Sequence, residues 1–298
     1  MNIKIENLVK EYSNGYKALK NVNLEINSGM YGLLGPNGAG KSSLMKILVT
    51  LMKPSSGTIS VNGMDLNKHR KEVRGMLGYL PQDFRYFAKL KTYEFLEYSA
   101  GLGGVRSKKE RNQKVEEWLE KVGLFDVRNR LASRLSGGMK RRLGIAQALI
   151  GDPKILIIDE PTTGLDPEER IRFRNILSDL TQKDVIIILS THIVGDISSV
   201  CRDMCLLNRG EVVYTGSPEN LINMSKGKVW QVEVDQEQFE RIKDKYHIIT
   251  TIPSEQGWML EIVSDGMEGF QATEVDPNLE HAYVYFVEYL AEKNMSVL

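Results

Sequence analysis

The sequence predicts an α/β chain built on a parallel sheet, with a small α+β domain following it. Two apolar runs, "ILII" at 155–158 and "VIIIL" at 185–189, show no polar alternation and read as strands buried on both faces. A helical segment at 167–180 lies between them, which implies parallel strands joined by a right-handed crossover. A third buried strand, "MYGLLG" at 30–35, runs directly into glycine-rich sequence and then the helix "KSSLMKILVTLM".

The remaining elements follow in order. "NIKI" and "NVNLEI" open the chain as strands, the second with Val22, Leu24 and Ile26 alternating, and "GTISVNG" at 57–63 adds a strand ending in an Asn-Gly turn. Together they predict an antiparallel β layer. From about Phe84 to Ile150 the pattern is helical, including "DFRYFAKLKTYEFLEY". Ser107 and Glu110 form a capping box for "KKERNQKVEEWLEKV", and Gly123 closes that helix. "MCLLNRGEVVYTG" reads as a hairpin turning at Asn208-Arg209-Gly210. "SPENLINMSKGK" reads as a short helix and a boundary, dividing the chain into 1–216 and 217–298. The second part carries a β-α-β-β-α pattern whose last helix opens with Asp276 as N-cap and Pro277 at the first helical position.

Composition excludes several function classes. Lys+Arg and Asp+Glu each total 39, so neither nucleic acid nor an anionic membrane has an electrostatic claim on the chain as a whole. Lys140-Arg141-Arg142 reads as a solvated helix face. The opening "MNIKIENLVKEY" lacks the apolar core of a signal peptide, and no apolar run approaches the ~20 residues a membrane span needs. Cys201 and Cys205, in "CRDMC", lack zinc-site spacing and read as reduced, partly buried thiols. The expectation is a soluble cytoplasmic protein.

Four stretches carry chemistry. Gly35-Pro36-Asn37-Gly38-Ala39-Gly40-Lys41-Ser42 fits the G-x-x-x-x-G-K-[ST] phosphate loop, with a strand before it and a helix after it. Its small residues let backbone N–H groups close around phosphates; Lys41 would reach the β- and γ-phosphates and the Ser42 hydroxyl would ligate Mg²⁺. "KILIIDE" places Asp159 and Glu160 at the C-terminal end of a buried strand, where ligands bind in open α/β sheets. Asp159 suits Mg²⁺, directly or through water, and Glu160 suits the polarisation of an attacking water. His192 ends the next strand and could hydrogen-bond a γ-phosphate as neutral imidazole. In "RLSGGMKRRLGIAQAL", Ser136 stands at an N-cap and Gly137 and Gly138 leave the first-turn N–H groups uncovered, a second anion site.

Over roughly residues 1–216 this set resembles the nucleotide-binding subunits of ATP-binding-cassette (ABC) transporters, with six motifs in the family's order. Gly35 to Ser43 resembles the Walker A loop, Gln82 the Q-loop glutamine and "LSGGM" the signature sequence. "ILIIDE" resembles the Walker B strand with Glu160 as catalytic base, "GLDP" at 164–167 the D-loop containing Asp166, and His192 the H-loop histidine. Tyr12 matches the aromatic that stacks on adenine, with Tyr16 as its substitute. The resemblance implies a P-loop NTPase cassette: a RecA-like α/β core, an antiparallel β subdomain and a helical subdomain at about 84–150. It implies ATP and Mg²⁺ as ligands, with Ser42, Gln82 and Asp159 on the metal. It implies a head-to-tail partnership with a second cassette, in a homodimer or paralogous heterodimer, whereby Ser136, Gly137 and Gly138 grip the partner's γ-phosphate. Three departures stand out: Met139 replaces the usual Gln and cannot complete a capping box, Ser42 replaces the commoner Thr, and Met30 replaces a frequent Glu.

No membrane span being present, a transport role requires a separate polytopic permease, held in this family around the Q-loop and the following insert, here bearing Phe84, Tyr86, Phe87 and Phe95. The tail "TEVDPNLEHAYVYFVEYL" resembles the ending found after cassettes of ABC-2-type exporters, among them drug, antibiotic and bacteriocin self-immunity systems. The rival is a soluble ABC ATPase acting on ribosomes or DNA. Such members carry tandem cassettes or a coiled-coil insertion, neither of which this sequence has. The chain would then sit at the inner face of the cell membrane through its permease.

Overall fold

The computed structural model describes residues 1–162, 165–180, 184–255 and 257–289. Gly164 of the expected D-loop and the tail residues from 290 onward lie outside the described residues.

The chain opens with β1 (Asn2–Glu11) and β2 (Lys17–Asn27), followed by β3 (Gly29–Leu34), α1 (Lys41–Leu48), β4 (Ser56–Val61) and β5 (Met64–Asp65). The first, second, fourth and fifth strands form an antiparallel sheet in the order β2-β1-β4-β5. Asn62 and Gly63 both take positive φ between β4 and β5, as an Asn-Gly hairpin turn requires. Next come α2 (Arg70–Arg74), β6 (Leu77–Leu80), α3 (Thr92–Leu102), α4 (Lys108–Lys121), α5 (Gly137–Leu149), β7 (Ile155–Asp159), α6 (Pro167–Leu180), β8 (Ile186–Thr191), α7 (Val194–Val200), β9 (Asp203–Asn208) and β10 (Glu211–Gly216).

The central sheet has six strands in the order β10-β9-β3-β8-β7-β6, parallel except for β10. Its apolar runs are continuous because successive residues of a strand feed opposite layers. Leu156, Ile158, Ile187 and Leu189 join the core shared with the helical insert. Ile155, Ile157, Ile186 and Ile188 join the core beneath the antiparallel sheet. Each such side chain stabilises the fold by roughly 1.5–3 kcal/mol through its burial.

The insert is less helical than expected. Residues 84–91 form no helix, and α3 starts at Thr92, where the Lys91 backbone N–H donates to the Glu94 carboxylate. Phe84 and Tyr86 instead wedge as a half-buried plug against the core, and tertiary packing overrides the local pattern. Ser107 does cap α4, accepting the Glu110 N–H, and Gly123 follows its end at φ +63°. The basic run on α5 is not a solvated face: Arg141 is buried, Arg142 pairs with Glu169 at 3.1 Å, and Lys140 lies over the Tyr86 ring. Both cysteines are buried, Cys205 completely, and desolvation pushes the Cys201 thiol up to about 12, so neither is poised as a thiolate.

After α8 (Pro218–Met224) come β11 (Val229–Val234), α9 (Gln236–Lys243), β12 (His247–Ser254), β13 (Gly257–Val263), β14 (Ala272–Glu274) and α10 (Leu279–Val284), with a π-helical turn at Tyr285–Tyr289. The third sheet runs β12-β13-β11-β14. β14 was absent from the expected pattern; its three residues exist as a strand only by pairing with Val232, Gln231 and Trp230. The last helix is capped by Asn278 rather than Asp276. Asn278 Oδ1 accepts the His281 N–H while His281 Nδ1 accepts the Asn278 N–H, a reciprocal box that leaves Pro277 outside the helix. α10 packs against α7 and α8, and Asn208 Nδ2 donates to the Val287 carbonyl.

Candidate functional site

Sheet order explains where the motifs meet. Four neighbouring parallel strands, β3, β8, β7 and β6, end at one edge. They deliver there Gly35, His192, Asp159-Glu160 and Gln82.

The phosphate loop turns tightly into α1. Gly40 precedes the helix at φ +110°, and a Cβ there would lie 2.4 Å from the Ala18 carbonyl oxygen; at Gly35 one would lie 2.2 Å from that of Leu207. Only glycine allows backbone to approach so closely. The resulting pocket, of about 220 Å³, is lined by Pro36 to Ser43 together with Tyr12, Tyr16, Gln82 and Glu160. Tyr12 and Tyr16 stack at 6.4 Å between centroids, the Tyr12 hydroxyl meets Ser43 Oγ at 3.0 Å, and Tyr16 donates to the Gly38 carbonyl. Both tyrosines therefore stand at the pocket, although the sequence favours the first.

Charge concentrates on its floor. Lys41 Nζ donates to the carbonyls of Gly35 and Pro36 and lies 3.5 Å from Glu160 Oε1, both side chains being buried. Burial lowers the Lys41 pKa, and the neighbouring Glu160 opposes that shift. His192 Nδ1 donates to Glu160 Oε2 at 2.7 Å, so one carboxylate spans an ammonium and an imidazole. Asp159 receives Ser190 Oγ; burial raises its pKa against that bond. Glu160 adopts φ +49°, a left-handed conformation that surroundings must enforce in a residue with a Cβ.

Two buried threonines bracket this pair. Thr162 and Thr191 both donate from Oγ1 to Asp196 Oδ2 on α7, and Thr191 Oγ1 also accepts the Ile193 N–H. Among the described residues no cluster of three or more His, Cys, Asp or Glu could hold a metal ion. The available donors are the Ser42 hydroxyl, the Asp159 carboxylate and the Gln82 amide. That hard-oxygen set fits Mg²⁺, which binds through one or two carboxylates and substrate phosphates.

Ser136, Gly137, Gly138 and Asp166 are not brought to this pocket. Ser136 caps α5 by accepting the Met139 N–H, which preserves half of a capping box despite the missing Gln, and Ser136 and Gly137 are exposed. Asp166 caps the start of α6 by accepting the Glu169 N–H, and Glu169 in turn pairs with Arg142 and lies against Gly138. The predicted residues thus fall into two groups: one around the phosphate loop, and one exposed at the start of α5 and α6.

The family model described as "ABC transporter" matches residues 19–163. The ABC transporter ATP-binding protein YxlF of Bacillus subtilis is 35% identical over 247 residues, 83% of this chain and 81% of that protein. This chain belongs to the family of ABC transporter ATP-binding proteins. The probable multidrug ABC transporter ATP-binding protein YbhF of Escherichia coli is 33% identical over 267 residues, 85% of this chain and 46% of that protein. A methionine import ATP-binding protein of Helicobacter pylori is 34% identical over 77% of this chain and 72% of its own length, so the cassette likeness extends to an importer. A dimeric ATP-binding cassette solved in a post-hydrolysis state with ADP and Pi superposes with TM-score 0.67 at 28% identity, covering 72% of this chain and 98% of that one. The chain is an ABC-type ATP hydrolase with the α/β cassette fold of its relatives.

Sequence reasoning missed two parts of this ABC site. Arg141 lies behind Gln82 and Glu160, and Asp196 ties the segments on either side of the Glu160–His192 pair. A spacing signal for Arg141 existed: Gly137, Arg141 and Gly144 recur on one helical face, and Gly144 lets that face approach Leu80 and Phe84. Asp196 carried no such signal, because its partners come from two other loops.

Proposed function

We propose that this chain is the ATP-hydrolysing subunit that powers a separate polytopic membrane permease of the ABC-2 exporter type. ATP is sandwiched between two cassettes: its binding closes the pair and its hydrolysis reopens it. The carrying observation is Glu160, held between Lys41 and His192 on the floor of a pocket lined by the phosphate loop.

In this reading Tyr12, with Tyr16 stacked on it, receives the adenine. The amides of Gly35 through Ser43 and the Lys41 ammonium wrap the phosphates. Ser42, Gln82 and Asp159 hold Mg²⁺, which supplies charge neutralisation of the β- and γ-phosphates when bound. Glu160 accepts a proton from the water that attacks the γ-phosphorus as ADP departs, and His192 orients both the carboxylate and the γ-phosphate. Ser136, Gly137, Gly138 and Asp166 act on the partner's nucleotide. The exposure of Ser136, Gly137 and Asp166 supports this, and so does the pocket's 220 Å³, which is below the roughly 300–1,000 Å³ of self-contained ligand sites.

The permease reading is supported by a groove of about 690 Å³ beside the Q-loop, lined by Pro81, Asp83, Phe84, Arg85, Leu102 and Ala148 among others. Phe87 and Tyr98 stand exposed on the same insert, edge to face at 5.5 Å. No described helix is long and apolar enough to cross a membrane; in this reading the chain reaches the cytoplasmic face of the membrane by binding its permease. Export is favoured by the tail sequence "TEVDPNLEHAYVYFVEYL". The division into a cassette at 1–216 and an accessory domain at 217–298 is supported by the separate third sheet.

The test is purification of the tagged chain from its own cells in mild detergent. A stoichiometric polytopic membrane protein is expected. Ribosomal proteins, or no partner beside an ATP-trapped dimer, would overturn export while leaving ATP hydrolysis intact.

A further inference from the structure

Arg141 spends all five guanidinium N–H donors on backbone carbonyls. Nη1 reaches Pro81 and Gln82 at 2.9 and 3.1 Å, Nη2 reaches Asp159 and Glu160 at 2.8 and 2.9 Å, and Nε reaches Pro161 at 3.0 Å. These carbonyls belong to two loops from different strands, β6 and β7, and they flank Gln82 and Glu160 directly. The guanidinium is buried; desolvation brings its pKa down to about 10, still charged at neutral pH. A planar fork satisfied on every donor admits one orientation, which a lysine's point charge cannot reproduce.

The same side chain stands one helical turn from the exposed start of α5. Ser136 and Gly137 lie about 6–8 Å along the axis, within a continuous run of helix. Half-way along its length α5 is seated on the Gln82 segment itself: a Cβ at Gly144 would lie 2.7 Å from Leu80 Cδ1 and 3.0 Å from Phe84. A displacement at the helix start is therefore borne by Arg141 before it can dissipate. Glu160, in its left-handed conformation, needs outside constraint, and Arg141 on its carbonyl supplies part of it.

We propose that Arg141 is the positioning residue that couples the two nucleotide sites, transmitting engagement of Ser136–Gly138 by the partner's ATP to Gln82 and Glu160 of its own chain. This rests on the two-cassette reading above. The residue touches no nucleotide and acts only through the backbone of residues that do.

The test is steady-state ATP hydrolysis by the purified full chain against ATP concentration, for the wild type, Arg141→Lys and Arg141→Gln. The wild type should show a Hill coefficient approaching two, the number of sites. In the variants it should fall to about one, with KM for ATP within about twofold and kcat reduced on the order of a hundredfold, the cost of misplacing a reacting group by about 1 Å. Ser136→Ala should slow the wild type but add little to Arg141→Lys, because both act along one line. A merely structural role would lower the melting temperature and the active fraction while leaving the Hill coefficient unchanged, and that result overturns the proposal. A wild type that hydrolyses ATP without cooperativity as a monomer refutes the two-cassette reading instead. Should neither variant fold, the unaltered chain decides by amide exchange with a non-hydrolysable ATP analogue. Protection of the Asp159 and Glu160 amides at saturating nucleotide should rise with chain concentration; protection independent of it overturns the coupling.

Discussion

Replacing Asp196 should loosen the catalytic pair without touching the nucleotide pocket. Its carboxylate takes the hydroxyls of Thr162, two residues beyond Glu160, and Thr191, the residue before His192. Both threonines are at most 1% exposed and Asp196 is 6% exposed, so water cannot replace a lost acceptor. Stranding a buried donor costs about 1–3 kcal/mol, which puts Asp196→Ala at about 2–6 kcal/mol for the two hydroxyls. At about 2–4 °C per kcal/mol, the mid-range loss is a melting point lowered by about 8–16 °C. Asp196→Asn keeps an acceptor of the same shape and loses only the charge, so it should cost about 1 kcal/mol. Turnover of the folded Asp196→Ala protein should fall by about 10- to 100-fold as the Glu160–His192 geometry relaxes, with KM for ATP unchanged. Thermal melting by circular dichroism and phosphate release well below the melting point measure the two effects. A melting point within about 2 °C of wild type, or an Asn variant as damaged as the Ala variant, would refute the reasoning.

Lys41→Ala should weaken ATP binding outright, since it removes the ammonium on the pocket floor; unchanged affinity in equilibrium nucleotide binding would contradict the phosphate-loop assignment. In a mixed dimer with one disabled phosphate loop, Ser136→Arg should abolish turnover when the subunit with the disabled loop carries it and spare turnover when the other subunit does; indifference to the arrangement would sink action in trans. Asp159→Asn should abolish Mg²⁺-dependent hydrolysis yet stabilise the ligand-free chain. Burial raises the Asp159 pKa, so its favourable contribution is complete below the ordinary carboxylate range and is lost as pH rises through the raised value. The melting-point advantage of Asp159→Asn should therefore widen as pH rises above the ordinary carboxylate range, and a constant gap would contradict it.

Local signals made the cassette legible. Continuous apolar runs, the Asn62-Gly63 turn and the glycine spacing of 35–40 each encode their geometry within a few residues, and all were placed correctly. What escaped depended on distant partners. Phe84 to Leu90 look helical in isolation, but Phe84, Tyr86 and Leu90 pack against the core instead. β14 exists because β11 has an open edge beside it. Arg141 sits in a basic run that resembles a wet surface until Pro81, Gln82 and the end of β7 supply five carbonyls. At the last helix, Asp276-Pro277 presented a plausible start, and the reciprocal bonds of Asn278 and His281 outcompeted it.

The contact of α10 with α7 makes the C-terminal lobe a neighbour of the hydrolytic machinery in space, though almost a hundred residues separate His192 from Val287 in the chain. α7 begins two residues after His192 and carries Asp196, so its outer wall is built by the other lobe. The wall that holds the helix following His192 is therefore laid down late in the chain, so the surroundings of the Glu160–His192 pair are complete only once residues 279–287 have docked.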